Sequence, residues 1–384
     1  MNQQNLMSFI VFLGIVFSPL ALSHHTVIKT PTKRLLLSEY PQFADDLDFK
    51  NIDLAIDRQI SRFEDRDLSG RIQYGEDQYP ETQLLETLRE FQKDAQAFRV
   101  CLLRKSRDNC EQQFQALMNS KYNVYAPDLE PGDPRYGESK DTFFTAYYTP
   151  TLKGSSRPTA DKPHGVYSQP TSKSLAQSTR DEIDFQNVLK PTGYDVFFTE
   201  DLFEAYLLQV QGGGKVVMDD GEDFYISYDG TNRQTWRWIS LYMRDKGYID
   251  DLSIESQKRF LRANPDKQRE IYRYCPSYVY FKPTNHPPEG SDLVSLTDGR
   301  SIATDYRLYK RKGALAFVSA VRPDPNKDGS HFIPFSRFML DQDTGGAIEG
   351  KGRVDLYHGE GAYAERAAYN TSHTGNLYFL MLKN

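Results

Sequence analysis

Cysteine is scarce in this chain, with three residues in 384: Cys101, Cys110 and Cys275. None has the spacing of a metal knuckle, and the seven histidines form neither an HExxH pair nor a His-Cys cluster, so no metal site is expected. Basic blocks are missing too, and the net charge is −6. Phosphate backbones need clustered Lys and Arg, so nucleic acid is excluded as a partner. No serine sits in a Gly-x-Ser-x-Gly elbow, which leaves acyl transfer without a nucleophile. The run Gly212-Gly213-Gly214-Lys215 is not followed by Ser or Thr, so it is no phosphate cradle, and no cofactor is expected. Beyond residue 22 no apolar run is long enough to span a bilayer.

What is present begins with an apolar segment, Leu6 to Leu22, ending Ala21-Leu22-Ser23. It reads as a secretory signal cut before His24, although its first residues carry no Lys or Arg; an uncleaved anchor is the alternative. In an exported protein Cys101 and Cys110 could close a short disulfide loop, leaving Cys275 free and buried. Aromatics are abundant, with 25 Tyr and 23 Phe. Most belong to a core, but a tyrosine also offers a ring and a hydroxyl to a sugar face.

Apolar stripes at helical spacing run through Ile52, Ile56, Ile60 and Phe63, through Leu84, Leu88, Phe91, Ala95 and Phe98, and through Phe114, Leu117 and Met118. From Phe143 the pattern turns to short β runs broken by turn residues, with helices expected near 234–246 and 253–263. Pro283 to Gly290 reads as a long loop, after which β character resumes. Gln209 and Gln211 are expected on one face of a strand, where they could hydrogen-bond a polar ligand. Two stretches imitate calcium loops: 65–76, which reaches Glu76, and 324–335, which has Phe335 where a Glu is required. Both read as turns.

The most informative stretch is Asp343-Thr344-Gly345-Gly346-Ala347-Ile348, followed by Arg353-Val354-Asp355-Leu356-Tyr357. Two acids bracket a glycine-rich loop, and the second lies in an alternating run that reads as a half-buried strand. Apolar neighbours disfavour the charged carboxylate and raise its pKa, as a general acid working near neutrality requires. A third acid, Asp305, lies upstream.

These acids occur alongside Thr145-Ala146-Tyr147-Tyr148-Thr149-Pro150, Arg180-Asp181-Glu182-Ile183-Asp184, Gln209-Val210-Gln211-Gly212 and Pro276-Ser277-Tyr278-Val279-Tyr280-Phe281. In that order and spacing the chain resembles the membrane-bound lytic murein transglycosylase A family from about Phe43 to Lys383. Asp305, Asp343 and Asp355 match the acids of its three-aspartate domain. The resemblance implies a mainly β fold with helices. A double-psi β-barrel with N-terminal helices would be built from 45–150 and 284–384, a smaller β-barrel from 151–283 would be inserted, and a groove would lie between them. It implies Asp355 as catalytic acid/base, Asp343 and Asp305 as supporting acids, and Thr145, Tyr147, Gln209, Gln211, Gly345 and Gly346 as substrate contacts. The implied partner is the peptidoglycan glycan strand, cleaved without water to leave 1,6-anhydromuramyl ends. A monomer is expected, with a cell-wall enzyme complex as a further partner. The implied location is the periplasm, with outer-membrane association left open because no lipid-attachment cysteine follows the leader. The chain departs from the family at Ala146 (usually Gly), Gly213 (usually Ser) and His358 (usually aromatic), and Tyr306–Gly313 lacks a Pro-Leu-Gly turn. The rivals are a hydrolytic muramidase pairing Asp343 with Asp355, and a peptidoglycan-binding protein without activity.

Overall fold

The computed structural model describes residues 30–129, 141–190, 192–327, 329 and 331–383. The leader, 1–23, lies outside the described residues, as do two positions, 328 and 330, of the calcium-like stretch at 324–335.

The apolar stripes become helices because each can bury one face. After β1 (Thr32–Arg34), α1 (Ile52–Glu64) buries Ile52, Ala55, Ile56 and Phe63. The hairpin β2 (Arg71–Tyr74) and β3 (Asp77–Pro80) leads into α2 (Thr82–Leu102), then α3 (Arg107–Lys121), β4 (Tyr122–Pro127) and β5 (Thr142–Thr149). Where 65–76 imitates a calcium loop, Asp67 accepts from the N–H and hydroxyl of Ser69 and the chain turns into β2.

Cys101 and Cys110 are joined across the α2–α3 turn, nine positions apart. Closing so short a loop restricts the unfolded chain by about 2–3 kcal/mol. A reductant, or Cys101→Ser with Cys110→Ser, is therefore expected to lower the unfolding free energy by about that amount in urea titrations. Cys275 is free and buried.

The next stretch comprises β6 (Thr151–Gly154), β7 (His164–Tyr167), α4 (Lys173–Ala176), α5 (Arg180–Asp184), β8 (Asp195–Thr199), α6 (Leu202–Gln211), β9 (Gly213–Met218), β10 (Asp223–Thr231), α7 (Ile239–Asp245), α8 (Ile254–Ala263), α9 (Pro265–Arg273) and β11 (Val279–Thr284). Strands β11, β10, β9 and β6 form one sheet and β7–β8 a second. Among the described residues, a single bridge, Ser155 to Phe198, links the two. On the other side the Tyr278 hydroxyl donates to the Gly165 carbonyl at 3.4 Å. Leu152, Val166, Phe197, Val216, Ile226 and Phe281 fill the interior together with Leu208 of α6. The two sheets thus share one core, and among the described residues no ladder joins β7 to β11 to close a ring of strands.

The expected strand at 209–211 is corrected. Gln209 and Gln211 form the C-terminal end of α6, which stops at Gly212 in the left-handed region (φ 80°). Seven of its ten residues are buried, so the segment shows no amphipathic stripe and reads like a core strand.

The chain closes with β12 (Ser301–Thr304), β13 (Ala314–Pro323), β14 (Phe332–Asp343), β15 (Arg353–Glu360), α10 (Ala362–Asn370) and β16 (Ser372–Leu382). The sheet runs β1-β4-β16-β13-β14-β12-β15-β5, and β5 also pairs with β16. That last pairing closes six strands, β16-β13-β14-β12-β15-β5, into a barrel. β12 is parallel to β14, and β15 is parallel to β5. Phe338 of β14 meets Phe43, Phe49, Phe91, Phe114 and Phe317, so the N-terminal helices and the barrel share one core.

Candidate active site

Sheet register assembles the acids. Asp355 on β15 lies opposite Ala303 of β12 on one side and Thr145 of β5 on the other. Ala303 lies in turn opposite Asp343 at the end of β14. Asp343, Ala303, Asp355 and Thr145 therefore form one row across four neighbouring strands. Two interstrand spacings put the Cα atoms of the two acids about 10 Å apart, with only a methyl group between them. Val354 and Leu356 are buried in the barrel core with Phe144. Strand alternation then turns Asp355, Tyr357, Thr145 and Tyr147 to the outer face.

Asp355 is half-buried. Its Oδ1 accepts from the Thr145 hydroxyl at 2.5 Å, and the Thr145 oxygen accepts from Arg353 Nη2 at 2.7 Å. Burial pushes the pKa of Asp355 above the usual range, against the opposing pull of Arg353 and Thr145.

Asp343 is held differently. Its Oδ1 accepts the N–H groups of Ser291 (2.9 Å) and Thr344 (2.8 Å), and its Oδ2 accepts the Tyr147 hydroxyl (2.9 Å). Burial pushes it up to about 6 although all three donors oppose the shift. Tyr147 itself is raised by burial and then by the charge of Asp343, with Asp355 adding to it.

Asp305 follows β12. Burial would raise it, but Arg307 and the N–H groups of Gly350 and Arg307 prevail and hold it below the usual range. Its carboxylate accepts Arg307 Nη2 and Gly350 N–H at 2.9 and 2.7 Å, while Arg307 also reaches Glu349 at 3.1 Å. Asp305 thus ties down the far end of the loop that contains the exposed Gly345 and Gly346. An added Cβ at Gly346 would meet nothing within 4 Å, so that position is open to a ligand.

The two glutamines stand apart from the row of acids. Gln209 is buried, and its Oε1 accepts Arg180 Nη2 (2.7 Å) and Val279 N–H (3.2 Å). Gln211 Oε1 accepts the Tyr148 N–H at 3.0 Å, beside Tyr147. Their carbonyls thus connect α6 to α5, β11 and β5. Sequence reasoning missed Ser291, Ala303, Tyr357 and Arg353. Arg353 and Tyr357 carried a local signal, since each shares a strand face with Asp355 two residues away. Tyr357 lies two positions further along β15, opposite Tyr147 of β5; its ring lies 5.2 Å from that of Tyr147, and its hydroxyl shares a hydrogen bond with Thr149 (2.6 Å). Among the described residues, no group of three or more His, Cys, Asp or Glu is gathered for a metal ion.

Known proteins share this fold. A family model described as the MltA specific insert domain matches residues 143–282, and one described as the 3D domain matches residues 300–381. The chain is similar to the membrane-bound lytic murein transglycosylase A of Vibrio cholerae, at 28% identity over 271 residues covering 69% of this chain and 71% of that protein. The protein of the same name from Escherichia coli is 27% identical over 266 residues, 68% of this chain and 70% of that one. Among solved structures, E. coli MltA with bound chitohexaose gives a TM-score of 0.70 at 21% identity, covering 92% of this chain and 95% of that one. The membrane-bound lytic murein transglycosylase from Agrobacterium tumefaciens gives 0.69 at 20%, covering 91% and 97%. These structures carry the same fold, a closed six-stranded barrel beside a second β unit with helices. With both domain models matched in order and the curated relatives aligned over two thirds of its length, the chain belongs to the membrane-bound lytic murein transglycosylase A family.

Proposed function

We propose that this protein is a peptidoglycan lytic transglycosylase, cutting the β-1,4 bond between N-acetylmuramic acid and N-acetylglucosamine with Asp355 as its acid/base. The observation that carries this reading is the state of Asp355: half-buried, raised in proton affinity, and held at one oxygen by a single hydroxyl. A glycan lies in the groove between a barrel unit formed by 45–150 and 284–384 and an inserted unit formed by 151–283. Asp355 gives its proton to the glycosidic oxygen as positive charge grows at C1. The carboxylate then removes the proton of the muramic C6 hydroxyl, whose oxygen bonds to C1. The 1,6-anhydro ring closes, no water is consumed, and Asp355 ends protonated as it began. Most glycosidases need a second carboxylate to activate water or form a covalent intermediate. Here the nucleophile belongs to the substrate, an advantage of about 7–11 kcal/mol when well aligned. One acid/base then suffices.

Asp343 and Asp305 hold the loop around Gly345 and Gly346, while Thr145 and Tyr147 line the groove floor. Gln209 and Gln211 support that floor, their carbonyl oxygens being taken by protein donors. A hydrolytic muramidase is the second reading, because an Asp343 carboxyl pushed up to about 6 could serve as a base. Against it, both oxygens of Asp343 already accept protein donors, leaving it poorly placed to activate water. The proposed location is the periplasm, which suits the Cys101–Cys110 bond. Among the described residues, no helix is long and apolar enough to cross a membrane.

Mass spectrometry of sacculi digested by the purified protein tests the reading. Anhydromuramyl products, one water lighter than reducing ends, are the expected result. Reducing ends alone would establish hydrolysis, and intact sacculi would leave binding as the function.

A further inference from the structure

Two residues before Asp355, on the same face of β15, Arg353 has no role in the chemistry set out above. Its Nη1 donates to the Val354 carbonyl at 2.8 Å, its guanidinium lies 5.3 Å from the centre of the Phe143 ring, and its Nη2 donates to Thr145 Oγ1 at 2.7 Å. A guanidinium has donors and no acceptor. The Thr145 oxygen must therefore accept from Arg353, and its one hydrogen is free to point to Asp355 Oδ1, 2.5 Å away. A cation on the oxygen side of a hydroxyl polarises the O–H bond and strengthens that donation.

We propose that Arg353 is a positioning residue that acts through Thr145 to hold Oδ1 of Asp355 as an acceptor, so that the catalytic proton resides on Oδ2. The inference rests on the reading of Asp355 as acid/base and assigns the work to one oxygen. Oδ2 releases its proton to the glycosidic oxygen as the C1–O bond breaks. The same Oδ2 takes the C6 hydroxyl proton as the O6–C1 bond forms. Oδ1 keeps its bond to Thr145 throughout, so the carboxyl plane does not turn between the two transfers.

Among the described residues, these groups set the balance. Asp355 meets Arg353 on its own strand and Tyr147 on β5, with Asp343 of β14 beyond Tyr147; Ala303 on β12 contributes no charge. Burial raises the acid, and Arg353 and Thr145 pull it back. Removing either of these two must move the loss of the proton to higher pH.

Peptidoglycan turnover is followed from acid to alkaline pH for the parent, Arg353→Met, Arg353→Lys, Thr145→Val and Thr145→Ser. In Arg353→Met and Thr145→Val the alkaline limb should rise by about one pH unit or more. Arg353→Lys and Thr145→Ser, which keep the cation and the hydroxyl, should bring the limb back toward the parent's. Carbon-13 titration of the Asp355 carboxyl by NMR reads the same shift in any variant too slow to assay. Midpoints unmoved in both Arg353→Met and Thr145→Val overturn the proposal. Asp355→Asn, run alongside, separates the two ideas. Full turnover there would sink the acid/base reading itself, whereas an inactive Asp355→Asn with unmoved midpoints removes only the roles of Arg353 and Thr145.

Discussion

Asp355→Asn is expected to cut turnover on peptidoglycan by about 10²–10⁴-fold, the range contributed by a positioned proton donor. The amide has nearly the shape of the acid but no proton to give and no base to recover one. Folding should not suffer. Burial raises the folded-state pKa of Asp355, so the folded protein binds that proton more tightly than the unfolded chain does. Stability from this group is fully present below the unfolded carboxyl pKa and is lost as pH rises through the folded one. At alkaline pH the parent carries a partly buried charge that the amide lacks. The melting temperature of Asp355→Asn should then match or exceed the parent's, with the larger gain at the higher pH. Scanning calorimetry on both sides of neutrality, paired with turnover assays, checks this. A variant that melts as expected and still cleaves at the parent's rate would remove Asp355 from the mechanism.

The largest effect on stability is expected at the start of β12, the strand that sets Ala303 between the two acids. Arg300 and Asp45 are paired with both side chains shielded from solvent, at 2.6 and 2.9 Å. Arg300 also donates to the carbonyls of Phe338 and Lys50, and Asp45 accepts the N–H groups of Leu47, Phe49 and Phe338. The pair thus links the loop before α1 to β12 and β14. Arg300→Met leaves a carboxylate in the core without its counter-ion, at a cost of about 3–5 kcal/mol in urea unfolding. Adding Asp45→Leu removes that charge, but it orphans three N–H groups and restores only part of the loss. Burial would raise Asp45, but Arg300 and the backbone donors outweigh it and hold its pKa below the usual range. The parent therefore keeps this contribution above the unfolded carboxyl pKa and loses it as pH falls through the folded value. Destabilisation by Arg300→Met should shrink in strong acid.

Local pattern made much of the molecule legible. The stripes on α1 and α2 recur at 3.6-residue spacing, and Val354-Asp355-Leu356 alternates as a strand must, so both periods appear in contiguous residues. Cys101 and Cys110 lie at facing ends of two helices. The reading failed where burial erased the period. Helix α6 is apolar on nearly every side, so Gln209 and Gln211 were expected on a strand, and α10 lies among residues read only as part of a β region.

By itself the sequence determined which residues are acidic, which strand half-buries Asp355 and which family the pattern resembles. All of these depend on neighbours along the chain. Only the tertiary structure decided that Asp343, Ala303, Asp355 and Thr145 share one row, that Tyr147 holds Asp343, and that Arg353 reaches Asp355 through a threonine. Thr145 and Asp355 are 210 positions apart. A parallel pair can be joined only by a long crossover, and its register is set by the packing of the whole barrel, which no local window of residues contains.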